Sequence, residues 1–168
     1  MNHSRLQSNP LMQLVDEVSR LQGRVGSLFE EVQAASGLKP MQDLVLTAVF
    51  EAASPPTVPQ IGRSLGHPRQ VIQRAVNDLA DAGFIQLLPN PDHKRAPLLT
   101  VTAKGAGLKE RTDAMALSIA DTFLQGFDLQ QCSRLVGELR EMRRAIEAFA
   151  RTGTPRPRGQ QLAGRGQR

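Results

Sequence analysis

Three features of the 168-residue chain predict a mainly α (α+β) fold, with long helices at both ends and a small two-stranded sheet between them. Apolar residues recur every three or four positions near both ends, the period of an amphipathic helix. Two shorter helical stretches meet at Gly66-His67-Pro68, a helix stop followed directly by a helix start. Immediately after them, two apolar runs flank PNPDHKR, the pattern of a β-hairpin with a polar tip.

The first helix is predicted from about residue 11 to residue 35. Leu11, Leu14, Val15, Val18, Leu21, Val25, Leu28, Phe29 and Val32 form its stripe, and Gly37 is its stop. Gly23 and Gly26 inside it each cost about 1 kcal/mol against alanine. They read either as tolerated weak spots or as the close approach of another helix, such as one from a second subunit. Pro40 opens a second helix carrying Met41, Leu44, Val45, Ala48 and Val49, ended by Ser54-Pro55-Pro56. Thr57 to Gln60 has the form of a capping box, so a short helix follows to Leu65.

Pro68, at a first-turn position, starts the next helix, which Gly83 closes. Val71, Ile72, Ala75, Val76 and Leu79 form its apolar side. The hairpin pairs FIQLL with APLLTV, Pro97 marking an edge or a strand start. Thr102 caps a further helix bearing Leu108, Met115, Ala116, Ile119, Phe123 and Phe127. Asp128-x-x-Gln131 caps the last one, whose stripe is Leu129, Cys132, Leu135, Val136, Leu139, Met142, Ile146 and Phe149. The segment TPRPRGQQLAGRGQR has almost nothing to bury and is expected to be disordered.

Composition narrows the function. Six Phe with no Trp or Tyr argue against sugar clefts, aromatic cages and stacking platforms for single strands. One cysteine excludes an internal disulfide and suggests a reducing compartment. MNHSRLQSNP carries no apolar signal core and no apolar run approaches membrane length, so a cytoplasmic protein with no membrane partner is expected. The net charge of +5 is uneven. Residues 1–57 carry four bases against six acids, 58–104 six against three, 105–152 seven of each, and 153–168 four arginines with no acid. Such a distribution suits a polyanionic partner.

The helix after Pro68 gives that partner a form. Its polar side gathers Arg69, Gln70, Gln73, Arg74 and Asn77, with no carboxylate before Asp78. Arginine matches the O6 and N7 of guanine in the major groove, and Asn and Gln match the N6 and N7 of adenine. A solvated surface face would also tolerate these residues. The context favours reading DNA: a capped short helix, a tight turn, this helix, and then a hairpin whose tip holds Lys94 and Arg95. That is the order of a winged helix-turn-helix, in which a basic wing tip lies along phosphates or enters the minor groove. The long terminal helices exceed what this small domain needs for a core, so pairing across a two-fold axis is expected.

Over roughly residues 10 to 150 the sequence resembles the MarR family of bacterial regulators. GLKPMQDLVLTAV, TVPQIGRSLG and RAVNDLADAGFIQLLPNPDHKRAPLLTVTAKG carry the resemblance, including Asn90-Pro91 with Arg95 at the wing tip and Val101-Thr102-Ala103-Lys104-Gly105 at the next helix start. It implies a DNA-binding transcriptional regulator, usually a repressor, dimeric through its terminal helices and often released by a small-molecule effector. It also implies an effector pocket between the dimer helices and the DNA-reading domain. One departure is His93, which stands where the family commonly has an Asp bracing the wing arginine. Asp92 could serve from one residue away, or Arg95 is less fixed; His93 could also act as a pH switch, though an exposed loop histidine commonly has no role.

No enzyme is expected. His3, His67 and His93 are scattered, and no metal, cofactor, nucleophile-elbow or phosphate-loop motif occurs. Some members of the family sense oxidants through a cysteine near the start of the chain. Cys132 does not match that position and falls on an apolar stripe, so packing is expected there, with redox sensing as the rival. The arginine tail either clamps phosphates or solubilises the chain.

The expected organisation is a flexible N-terminus at 1–9, an N-terminal dimerisation helix at 10–37 and a winged helix-turn-helix DNA-binding domain at 38–104. C-terminal dimerisation helices at 105–152 and a disordered basic tail at 153–168 follow. The expected function is a homodimeric repressor on a palindromic double-stranded operator. The rival class is a winged-helix protein-interaction adaptor that does not read DNA.

Overall fold

The computed structural model describes residues 8–126 and 128–152. The expected disordered tail at 153–168, most of the flexible N-terminus, and Phe127 lie outside the described residues. The chain divides into two compact units between Ala120 and Asp121.

In the first unit, α1 (Pro10–Leu28) starts at Asn9, whose Oδ1 accepts the N–H groups of Leu11 at 2.9 Å and Met12 at 3.4 Å. The single helix expected to residue 35 is instead interrupted at Phe29, and α2 (Glu30–Ser36) follows. The main-chain ladder still passes through this point, with Phe29 N–H on Val25 O and Gln33 N–H on Phe29 O. Ser27 Oγ donates back to Gly23 O at 3.2 Å, a bond that bends helices, beside the weak helix former Gly26. A Cβ on Gly23 or Gly26 would meet nothing within 4 Å, so no close approach within the protomer requires either glycine. Gly37 ends α2 in the left-handed region at φ 65°.

Helix α3 (Pro40–Phe50) buries Val45, Leu46 and Val49. Leu46, absent from the expected stripe, is wholly buried, whereas Leu44 is exposed. Three elements, α4, α5 and β2, meet this helix, so its polarity pattern is poor and its face hard to place. Helix α4 (Val58–Leu65) begins as expected: Gln60 Oε1 accepts the Thr57 N–H at 2.7 Å and its hydroxyl at 2.8 Å. Gly66, at φ 69°, turns the chain into α5 (Arg69–Asp81). Pro68 is the residue before α5, one position earlier than expected.

Ile72, Ala75, Val76 and Leu79 of α5 are buried, but Val71 is 40% exposed and leaves the apolar side assigned to it. Its azimuth lies at the edge of the stripe, in an open groove beside Met41 and Gln42 of α3 that leaves it partly uncovered. Gly83, at φ 75°, closes α5: Phe84 N–H bonds to Leu79 O and Gly83 N–H to Ala80 O, both at 2.9 Å.

Strands β1 (Ile85–Leu88) and β2 (Leu98–Val101) pair antiparallel, Ile85 with Val101 and Leu88 with Leu98. Both are shorter than expected; Pro97, with no N–H to donate, stands just before β2. Thr57 bridges Leu98 from the other side, and Leu99 N–H donates to Pro56 O at 2.8 Å. The segment before α4 thus ties the wing to the helix pair. Ile85 and Leu99 are buried in the core with α3, α4 and α5 and Val101 packs against it, while Leu87 and Leu88 are exposed.

Helix α6 (Ala103–Leu124) starts at Thr102, whose Oγ1 accepts the Gly105 N–H at 3.1 Å and donates to Gly83 O at 2.7 Å. In the second unit, Asp128 Oδ1 accepts the Gln130 N–H at 2.8 Å and opens α7 (Leu129–Thr152). Mainly helical secondary structure with one two-stranded wing is therefore the architecture. No helix among the described residues is long and apolar enough to cross a membrane.

Candidate nucleic-acid interface

Helix α5 is held by its buried side, so its opposite side is presented outward. Arg69, Gln70, Arg74 and Asn77 are exposed and Gln73 is half-buried. Gln73 Nε2 donates to Asn77 Oδ1 at 3.0 Å, which aligns the two carboxamides along one row. Asp78, the first carboxylate of the helix, is held by Gln42: Gln42 Nε2 donates to Asp78 Oδ2 at 2.9 Å. Among the described residues, Arg74 has no ion-pair partner.

The polar residues of α5 divide between two grooves. On one side, Arg69 joins Arg63 of α4 and His93 and Arg95 of the wing, around a cleft where Asp92 is the single acid. On the other, Gln70, Val71 and Arg74 share a groove with Lys39, Met41 and Gln42 from the start of α3. Lys94 stands exposed at the wing tip between β1 and β2. There Asn90 organises the turn: its Nδ2 donates to Ala96 O at 2.8 Å and its Oδ1 accepts the Asp92 N–H at 3.0 Å. Neither Asp92 nor His93 forms an ion pair with Arg95 among the described residues.

Arg63 and Lys39 add two positive groups that the polar side of α5 alone does not predict. Arg63 was legible as one of the polar residues of α4, beside Gln60 and Ser64; Lys39 gave no signal beyond its position before Pro40. Lys104, counted with the basic middle segment, is used internally. Its Nζ donates to Ala82 O at 2.7 Å and lies 4.6 Å from the centre of the Phe84 ring, neutralising the C-terminal end of α5.

The family model for the MarR family matches residues 36–96, the segment from the end of α2 to the wing tip. An uncharacterized protein of Mycobacterium tuberculosis is 32% identical over 141 residues, covering 84% of this chain and 97% of that protein. The chain belongs to the MarR family.

Solved structures with the same fold agree with a MarR-family winged helix. A MarR family transcription regulator superposes with a TM-score of 0.69 at 22% identity, over 90% of this chain and 99% of the other. A cysteine-to-serine mutant of MarR from E. coli, complexed with operator DNA, gives 0.64 at 22% identity over 79% and 93%. CouR from Rhodococcus jostii, bound to p-coumaroyl-CoA, gives 0.64 at 20% identity over 84% and 94%.

A second feature of this MarR-family chain is a cavity of about 320 Å³ within the first unit, between α1, α2, α3 and α6. Val25, Phe29, Val32 and Ala116 supply apolar walls; Asp43, Lys109, Thr112 and Asp113 supply polar ones. Lys109 is buried and pairs with Asp113. Burial raises the Asp43 carboxyl above its ordinary value of 3.8; Lys109 opposes the rise and Asp113 adds to it.

Proposed function

We propose that this MarR-family protein is a sequence-specific transcriptional repressor that binds a palindromic operator as a homodimer. The observation carrying this reading is the row Gln70, Gln73, Arg74 and Asn77, outward on α5 with its nearest carboxylate tied back to α3. Arg74 is suited to a guanine edge, and Gln70, Gln73 and Asn77 to adenine edges. Arg69, Lys94 and Arg95, with Arg63 and Lys39, are suited to phosphates or the minor groove. Two such helices related by a two-fold axis would enter successive major grooves about 34 Å apart.

The dimer is supported by apolar stripes left exposed among the described residues. Leu11, Val15, Val18 and Leu21 on α1 and Leu135, Val136, Leu139 and Ile146 on α7 are all more than 40% exposed. The cavity beside Asp43 is suited to a small-molecule effector whose binding would reorient the DNA-reading domains. Operator-bound MarR and acyl-CoA-bound CouR share the fold and lend support to both roles. Cys132 is half-buried on α7, consistent with packing rather than an oxidant sensor. A repressor of this kind acts in the cytoplasm.

The deciding experiment is selection of bound duplexes from randomised DNA, followed by fluorescence titration of the selected sites at stated salt. Enrichment of a two-fold symmetric site is expected. Recovery of no preferred sequence, with weak binding to every duplex, would favour the adaptor reading.

A further inference from the structure

Val71 is the third residue of α5, in the turn that also carries Gln70 and Arg74. Its side chain is 40% exposed, in a groove it shares with Gln70, Arg74 and Lys39, while the next residue, Ile72, is wholly buried. A β-branched residue is a poorer helix former than alanine, and here it stands outside the buried core, beside Met41 of α3. The N-terminal turn of a recognition helix is the part that approaches the base edges.

We propose that Val71 is a specificity-determining residue that contacts the C5-methyl group of a thymine, next to the base pair read by Gln70 or Arg74. This inference rests on the DNA-reading role given to α5 above. In the major groove every base edge offers hydrogen-bonding groups, and the thymine methyl is the one apolar feature. Valine can neither donate nor accept, so that methyl is the one group its two methyls can reward. Restricted χ1 freedom holds those methyls in place before DNA arrives. Neighbouring polar groups sharpen the choice: Arg74 and Gln70 fix the register of the adjacent bases, and Lys39 stands where a phosphate would flank them. Substituting cytosine at this step would set its amino group against the valine methyls, leaving a donor without a partner.

The test uses the full chain and a duplex recovered by selection from randomised DNA. Each thymine is replaced in turn by deoxyuridine, which removes only the methyl group. For the natural protein, one thymine in each half-site should be sensitive, with binding weakened about four-fold, the worth of one buried methyl. Val71→Ala should bind the thymine-containing site about as weakly as the natural protein binds the uracil one, and should be indifferent to the replacement. Its thermal melt should match that of the natural protein, since Val71 is outside the core. If no thymine is sensitive, or if the Val71→Ala variant is equally sensitive, the methyl contact is overturned while DNA reading by α5 stands. If no selective binding to any duplex is found, both fall together.

Discussion

Gln42 on α3 donates its side-chain N–H to the Asp78 carboxylate on α5 at 2.9 Å, across 36 residues of sequence. Asp78 lies four residues after Arg74, the spacing at which a helical acid and base pair with each other. By engaging the carboxylate, Gln42 leaves the Arg74 guanidinium available to a base. Gln42→Ala should free Asp78 to pair with Arg74. An exposed pair of this kind is worth about 0.3–0.5 kcal/mol, so operator affinity should fall about two-fold, recovered in the double variant Gln42→Ala with Asp78→Asn. Fluorescence anisotropy at low salt measures it, and an unchanged affinity for Gln42→Ala would remove the role given to this bond.

Arg74 and Lys94 should fail in different ways. Arg74→Ala should cost about 1–3 kcal/mol and relax selectivity at one or two base pairs. Lys94→Ala should weaken all duplexes alike and reduce the salt slope by about one. Titrations of matched and mismatched operators across a salt series separate the two patterns. Neutrality of both variants would count against the whole interface.

Gly105 has a packing role that admits no side chain. A Cβ there would stand 2.1 Å from Phe84 O and 2.8 Å from Val101 Cγ1, so α6 and the start of the wing could not keep their present spacing. Gly105→Ala should destabilise the protein by about 3 kcal/mol, the upper end for overpacking. Urea denaturation with an unchanged slope would report it. A loss below about 0.5 kcal/mol would show that the contact can relax freely.

Asp43 should make stability depend on pH. Its folded value is raised above the unfolded one by burial, opposed by Lys109 and increased by Asp113. The stability associated with its neutral form is complete below the unfolded value of 3.8 and is lost as pH rises through the folded value. Above the folded value the carboxylate is charged at a net cost. Asp43→Asn should melt at a higher temperature than the natural protein at pH 7, and the gain should shrink as the pH falls toward 4. An equal gain at both ends of that range would contradict the linkage.

The α7 stripe should hold the dimer. Leu135, Val136 and Leu139 are exposed between 44% and 47% in the protomer, more apolar surface than one stable helix would leave in water. Leu139→Glu should shift the protein to monomers in sedimentation and weaken operator binding at least ten-fold, because two half-sites would no longer be engaged together. Monomeric natural protein at micromolar concentration would overturn this.

The sequence by itself determined the element order, the turns and the chemistry of α5. These are local matters: Thr57 and Gln60, Gly66, Gly83, Thr102 and Asp128 act within a few residues, and a helical wheel needs only the period. Tertiary structure decided which positions at the edge of each stripe are covered. Leu46 is buried and Leu44 exposed because α5 and β2 pack on one part of α3, and Val71 is exposed because it sits in an open groove beside the start of α3. Tertiary structure also decided the partners of charge: Lys104 on a helix end, Lys109 against Asp113, and Asp78 on Gln42. Long-range pairing depends on where distant segments meet, and no local pattern carries that information. The terminal helices fall between these cases, since their apolar periodicity is written in the chain but the described residues of one protomer leave it exposed.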